Sequence, residues 1–272
     1  MVQAGVVLSV RRAGVDDLGA IEGLARVRRE SLAVWSPTWW RPASSANEAH
    51  RQWLSFLVTS GHADCRVVLD GGAIVGCAVV VGQPSHAFID DLAVDNPDRW
   101  PSVLVALADA VRARPALSCV PSNDTRATAA MRAAGINRIA SYWLLAPEPN
   151  PSPGMFEPCV SEAPAGPPHT FEPIFGAGRS MCLHVDGGVV VASPSISAPP
   201  IYDPGGPVRI IDRVVGAHPD ILLRAGRGAA YDAGDAMVCV VAGADDTTLN
   251  HALTSAGAVR TVDVVEWPQP PA

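Results

Sequence analysis

The chain has 272 residues, 48% of them hydrophobic and 17% charged, with a net charge of −7 at pH 7 and a mean hydropathy of +0.19. That is enough chain for one large domain or two ordinary ones. The acidic balance argues against nucleic acid as a partner, because phosphate contacts need a basic face, and no run approaches the roughly eighteen apolar residues of a membrane span.

Residues 6–12 alternate apolar and polar, the pattern of a half-buried strand. The apolar run precedes its arginines, the reverse of a secretory signal, so a cytoplasmic protein is expected. Asp16 and Asp17 stand where a helix N-terminus favours carboxylates. Leu18, Ile21, Leu24 and Arg28 come next at helical spacing. Trp35, Trp39 and Trp40 then cluster around two prolines, and a second helix is expected over about residues 47–59, with Trp53, Leu54 and Leu57 on it and Gly61 after it.

Residues 65–69 and 74–81 read as apolar strands joined by Asp70-Gly71-Gly72, a strong hairpin signal. The next strand carries the adjacent carboxylates Asp90 and Asp91, a turn-rich loop spans 95–101, and an alanine-rich helix starts near Pro101. A strand feeding a helix through a tight loop is a usual place to hold a phosphate, since the first helical N–H groups lack internal partners. Residues 116–121 form another expected strand. Ser122, Asn123 and Asp124 are good N-cap types for a helix with Ala127, Ala130, Met131 and Ala134 on one face, Gly135 closes it, and 138–145 is a final strand. The order β-α-α-β-β-β-α-β-α-β makes this an α/β (α+β) chain with a mixed central sheet flanked by helices.

Residues 147–173 are rich in Pro, Gly, Ser and Glu and read as an extended linker. Beyond the linker the pattern of the first 146 residues recurs in part. Asp186-Gly187-Gly188 repeats Asp70-Gly71-Gly72 at an offset of 116, and an expected helix over 249–256 with Gly257 repeats the helix closed by Gly135 at an offset of 122. The expected organisation is thus a domain over 1–146, a linker over 147–173 and a shorter second copy over 174–272, without room for the first two helices. In that copy Tyr202-Asp203-Pro204-Gly205-Gly206-Pro207, ahead of an expected helix over 208–215, is a candidate anion nest.

The six cysteines, Cys65, Cys77, Cys119, Cys159, Cys182 and Cys239, show no C-x-x-C or zinc spacing and read as small buried hydrophobes in a reducing compartment. No metal is expected. No G-x-S-x-G, H-E-x-x-H, Gly-Lys phosphate loop or G-x-G-x-x-G occurs, and the seven histidines are scattered.

The order and length of elements over 6–145, the strand 89–94 leading into a loop and helix, and Asn123 ahead of the alanine-rich helix ending in Gly135-Ile136 resemble the GNAT superfamily of acyl-CoA-dependent N-acetyltransferases. The second copy resembles the C-terminal part of the same fold, a tandem or one-and-a-half arrangement known in that family. The resemblance implies acetyl-CoA as acyl donor and a small-molecule or peptide amine as acceptor. Its pantetheine would pair with the backbone of Leu92, Ala93 and Val94. Its diphosphate would sit on a loop with the pattern R/Q-x-x-G-x-G/A, for which Arg99-Trp100-Pro101-Ser102-Val103-Leu104 is the nearest match. There Arg99 fits, while Ser102 and Leu104 replace small residues and Pro101 removes a donor. Asn123 would also border the cofactor, and the Gly205-Gly206 loop is a rival phosphate site.

Transfer by direct attack needs a base, for which Asp90 and Asp91 are the candidates; strand alternation sets them on opposite faces. Salt bridging is the alternative role for either. The family's tyrosine acid falls here on Met131, and in the copy on Leu253, neither of which donates a proton. Trp35, Trp39 and Trp40 would shape the acceptor pocket, or else bury the helix pair on the sheet. The two functional expectations are therefore an N-acetyltransferase and a catalytically inactive GNAT-like module that binds a ligand or partner. The chain is expected to act as a monomer, its copies forming a pseudo-dimer, or as a homodimer.

Overall fold

The computed structural model describes residues 8–35, 41–82, 87–111, 115–150, 154–159, 180–185, 187–193 and 201–268. The chain divides into two compact units that are not contiguous in sequence. The first comprises Met1–Pro37, Pro42–Asn137 and Val265–Ala272, the second Thr38–Arg41 and Arg138–Val264.

In the first unit, β1 (Ser9–Arg12), β2 (Ala63–Asp70), β3 (Ala73–Gly82), β4 (Ala87–Val94) and β5 (Ala116–Pro121) lie side by side in chain order. All pairs are antiparallel except β4 and β5, which are parallel because α3 (Trp100–Val111) crosses between them. α1 (Leu18–Trp35) and α2 (Ala46–Ser60) connect β1 to β2. Strand alternation divides the side chains between two cores. Val67, Cys77 and Ala93 meet Ile21, Leu24, Leu54 and Leu57 of α1 and α2. Val68, Ala78, Leu92 and Val94 meet Val103, Leu104 and Leu107 of α3, and Ala127 and Met131 of α4 (Thr125–Ala133). Val265 and Trp267, at the end of β12 (Val259–Trp267), belong to that second core, and the Trp267 indole donates to Ser118 Oγ at 3.0 Å.

The second unit runs β7 (Glu157–Pro158), β8 (Met181–Val185), β9 (Gly188–Ala192), β10 (Val208–Gly216), β11 (Met237–Gly243) and β6 (Asn137–Leu145), each paired with the next. α5 (Pro219–Asp232) and α6 (Thr247–Ser255) bury Leu222, Ala229, Leu249 and Leu253 against Val190, Ile211, Val238 and Val240. Among the described residues this unit has no counterpart of α1 and α2. From α4 onward the elements recur 122 positions later with the same bounds: Thr125–Ala133 and Asn137–Leu145 against Thr247–Ser255 and Val259–Trp267. The caps recur too. Asp124 Oδ1 accepts from Ala127 N at 3.0 Å, and Asp246 Oδ1 from Leu249 N at 2.9 Å.

Two expectations about these elements need correction. Residues 208–215 form a strand rather than a helix, because the run Val208, Ile210, Ile211, Val214 and Val215 is β-branched and fits a pleated, buried surface. Cys159 and Cys182 are joined by a disulfide, brought together where β7 pairs with β8, so not every cysteine is a free buried thiol. Cys65, Cys77 and Cys239 are buried and belong to no disulfide, and burial pushes the Cys65 thiol up to about 11. Among the described residues no helix is long and apolar enough to cross a membrane.

Candidate functional site

β4 carries one residue more than its partner strand. Its register with β3 runs Val94 to Gly76 through Asp91 to Val79, then resumes with Ile89 opposite Val80. Asp90 is the extra residue of a β-bulge. The bulge reverses alternation: Ile89, Leu92 and Val94 all face the α3–α4 core, an odd step from 89 to 92. The two residues between them are thereby released to the same side. Asp90 and Asp91 both reach α2, which corrects the expectation of opposite faces.

The contacts on α2 are specific. His50 Nε2 meets Asp91 Oδ2 at 2.8 Å, and the Trp53 indole Nε1 donates to Asp90 Oδ2 at 3.2 Å. Behind them Arg29 of α1, only 3% exposed, donates one Nη1 hydrogen to His50 Nδ1 and one from Nη2 to Asn47 Oδ1 at 2.8 Å. Arg29 has only hydrogens to give, so His50 Nδ1 accepts, and the network assigns the ring hydrogen to Nε2, which donates it to Asp91. Asp91 is thereby oriented as an acceptor from a fixed direction. Asp90 is half-buried beside it. Burial pushes the Asp90 carboxyl up, Asp91's charge pushes it further, and the Trp53 hydrogen bond holds it back; the result is about 6. A carboxyl titrating there can both take and return a proton near neutral pH.

Sequence reasoning singled out the aspartates but not Arg29, His50 or Asn47. The signal was present: Ile21, Leu24, Ala25, Arg29 and Leu32 form the buried stripe of α1, and Ala46, His50, Leu54 and Leu57 that of α2. A cation and an imidazole on apolar stripes need partners. Trp53, not Trp35, is the indole that reaches the carboxylates. The Trp35 ring instead lies 5.3 Å from the Arg28 guanidinium, and Trp35 O accepts from Asn123 Nδ2 at 3.3 Å. Trp39 and Trp40 lie outside the described residues.

Beside the bulge β4 parts from β5. Their parallel pairing covers Ala87–Ala116, Phe88–Leu117 and Ile89–Ser118, and the register stops there. Leu92, Ala93 and Val94 thus pair with β3 on one side and lie in the parted stretch on the other. An extended chain can add to such an edge as a strand does.

The loop after β4 is differently committed. A 3-10 turn, Pro97–Arg99, leads into α3. Arg99 Nη1 bonds Asp70 Oδ2 at 2.7 Å, and its Nε lies 3.4 Å from Asp95 Oδ1. Ser102 Oγ donates back to Arg99 O at 3.0 Å. Trp100, Val103 and Leu104 are core residues, and Val103 sits so close to β3 that a Cβ on Gly76 would stand 2.9 Å from it. In the second unit the Gly205-Gly206 loop leads into β10, a strand, and so lacks the helix N-terminus of an anion nest. Gly206, at φ +156°, is required by packing: a Cβ there would stand 2.8 Å from Ala236 Cβ.

No protein-family model matches the sequence, and no curated protein matches it. Solved structures do match. A GCN5-related N-acetyltransferase from Sphaerobacter thermophilus aligns with a TM-score of 0.55 at 14% identity, over 97% of this chain and 98% of that one. A proposed acetyltransferase from Thermoplasma acidophilum aligns with a TM-score of 0.52 at 12% identity, over 96% and 99%. These likenesses run through both units. The parallel β4–β5 pair that parts beside a bulge, the crossover helix between them and the near-complete overlap lead to one assignment: the chain has the fold of the GNAT superfamily of N-acetyltransferases.

Proposed function

We propose that the first unit transfers an acyl group, acetyl being the simplest, from a thioester donor of the acyl-CoA class to an amine of a small molecule or peptide. One observation carries the reading: the β4 bulge sets Asp90 and Asp91 on one face, at the place where β4 parts from β5. The residues fit the pantetheine half of such a donor, which Leu92, Ala93 and Val94 would hold by their backbone. When bound, the donor supplies an acyl carbon joined to a good leaving group, a thiolate.

The chain's own residues handle the acceptor. An amine is mostly protonated at neutral pH and cannot attack in that form. Asp90, ionised above its pKa of about 6, accepts the ammonium proton, directly or through one water. The free nitrogen forms the C–N bond, the C–S bond breaks, and the departing sulfur takes up one proton as the nitrogen loses another, so charge and atoms balance. Asp91, held by His50, which Arg29 backs in turn, stays fixed beside the ammonium. Trp53 borders Asp90 with a partly exposed ring, a suitable wall for a cationic or apolar amine. Met131 is buried in the α4 core and takes no part. Both carboxylates and their supports come from one chain, so the reaction needs no second copy.

The test is amine-dependent thiol release from acetyl-CoA over a panel of amines, alongside thermal unfolding. Release that depends on amine, with a donor-induced rise in Tm, is the expected result. A rise in Tm without release from any amine would favour the inactive binding module; neither effect would defeat both.

A further inference from the structure

We infer that this site grips its donor by the pantetheine end alone and leaves the adenosine diphosphate half unheld, so that S-acetyl-pantetheine serves it nearly as well as acetyl-CoA. The inference rests on the acyltransferase reading and narrows its donor class to acyl-pantetheine thioesters.

A diphosphate is held in two ways: by a row of backbone N–H groups at a helix start, and by cations with charge to spare. Here the chain has turned the N–H groups of Pro97–Pro101 and three neighbouring arginines on itself. From Pro97 to Pro101 no backbone hydrogen is left to give. The two prolines have none. Asp98 N donates to Asn96 Oδ1 at 3.0 Å, Arg99 N donates to Asn96 O at 2.9 Å, and Trp100 N donates to Pro97 O. Val103 and Leu104 are locked in the core one turn further on.

The cations are equally committed. Arg99 is held by Asp70 and Asp95, Arg126 of α4 by Asp98 at 2.7 Å, and Arg28 of α1 by Asp124 Oδ2 at 2.5 Å. Arg28 lies 5.3 Å from each of the Trp35 and Trp100 rings, and its side chain is only 16% exposed. Asp124 cannot be displaced freely, since its other oxygen caps α4. Four carboxylates thus surround three guanidinium groups, and the surplus charge is negative. A diphosphate brought here would meet repulsion and would have to break existing pairs to gain its own. Among the described residues nothing comparable opposes the pantetheine, which needs only the parted edge of β4.

The experiment compares kcat/KM for acetyl-CoA and S-acetyl-pantetheine on the full chain, with the same amine, at low ionic strength where phosphate attraction is strongest. The expected ratio is within about tenfold. Adenosine 3′,5′-bisphosphate at millimolar concentration should leave the acetyl-CoA rate unchanged. A preference for acetyl-CoA well above about tenfold, or competitive inhibition by the bisphosphate, overturns the inference while leaving the acyltransferase reading standing. Release from neither donor, with any amine, overturns both.

Discussion

The same bulged strand occurs twice in this molecule, and among the described residues only the first copy carries paired carboxylates contacted from a helix. In the first unit the extra residue of β4 is Asp90; in the second, the register of β10 against β9 shifts between Ile211 and Arg213, which makes Asp212 the extra residue, 122 positions later. Both strands then part from a parallel neighbour, β4 after Ile89 and β10 after Ile211. The surroundings differ. Asp90 has a second carboxylate beside it and a helix above it that supplies an indole and a buried imidazole. Asp212 has Arg213 beside it and accepts from Ser193 Oγ, on the chain just past β9, at 3.2 Å. The bulge and the parting belong to the scaffold, and the proposed reactive arrangement comes from the helix pair laid over one copy.

The contrast can be broken most sharply by charge removal. Asp90→Asn should lower kcat by about 10²–10⁴-fold, the range for loss of a positioned proton acceptor, while Asp212→Asn should stay within about twofold. Equal losses would abolish the distinction between the copies. The two should also differ in stability with pH. Asp90 has a folded pKa raised above its unfolded value of about 4, so its contribution to stability is full below about 4 and is lost as pH rises through about 6. Asp90→Asn should therefore unfold at a higher temperature than wild type at pH 8, as it loses activity.

Next in size is the buried network under the carboxylates. His50→Ala leaves the Arg29 guanidinium buried without its imidazole and should cost about 3 kcal/mol in urea unfolding. His50→Gln, which can both accept from Arg29 and donate to Asp91, should recover most of that and of kcat. Reduction of the Cys159–Cys182 disulfide should cost about 3 kcal/mol by freeing the 23-residue separation it spans in the second unit, with kcat unchanged. A parallel loss of kcat would show that the second unit supports the chemistry. The smallest effect belongs to Asp17 at the first unit's entry, held down to about 2 by Arg11 and by the Gly14 amide. Asp17→Asn should cost about 1 kcal/mol at pH 7, a difference that fades as pH falls from about 4 through 2.

The sequence carried the element order of the first unit and the recurrence of the α4 and β6 pattern, because apolar spacing and caps such as Asp124 and Asp246 are local. The bulge was not legible: whether β4 holds one residue more than β3 depends on the facing strand, and local alternation at Asp90 and Asp91 looks regular. Residues 208–215 misled because Ile211, Val214 and Val215 also fit a helical face, and only the neighbouring strands decide. The commitment of Arg28, Arg99 and Arg126 to carboxylates up to 96 residues away is likewise a property of the fold. The disulfide depended on the β7–β8 pairing, which the cysteine spacing does not encode.

Everything proposed for the first unit turns on Asp90, raised by burial and by Asp91, as the proton acceptor. The most direct measurement is kcat against pH at saturating amine and thioester for wild type and Asp91→Asn. Wild type should show an acid limb near pH 6, and that limb should move to lower pH when Asp91 loses its charge. An acid limb that stays in place in Asp91→Asn, or that survives unchanged in Asp90→Asn, would contradict the assignment.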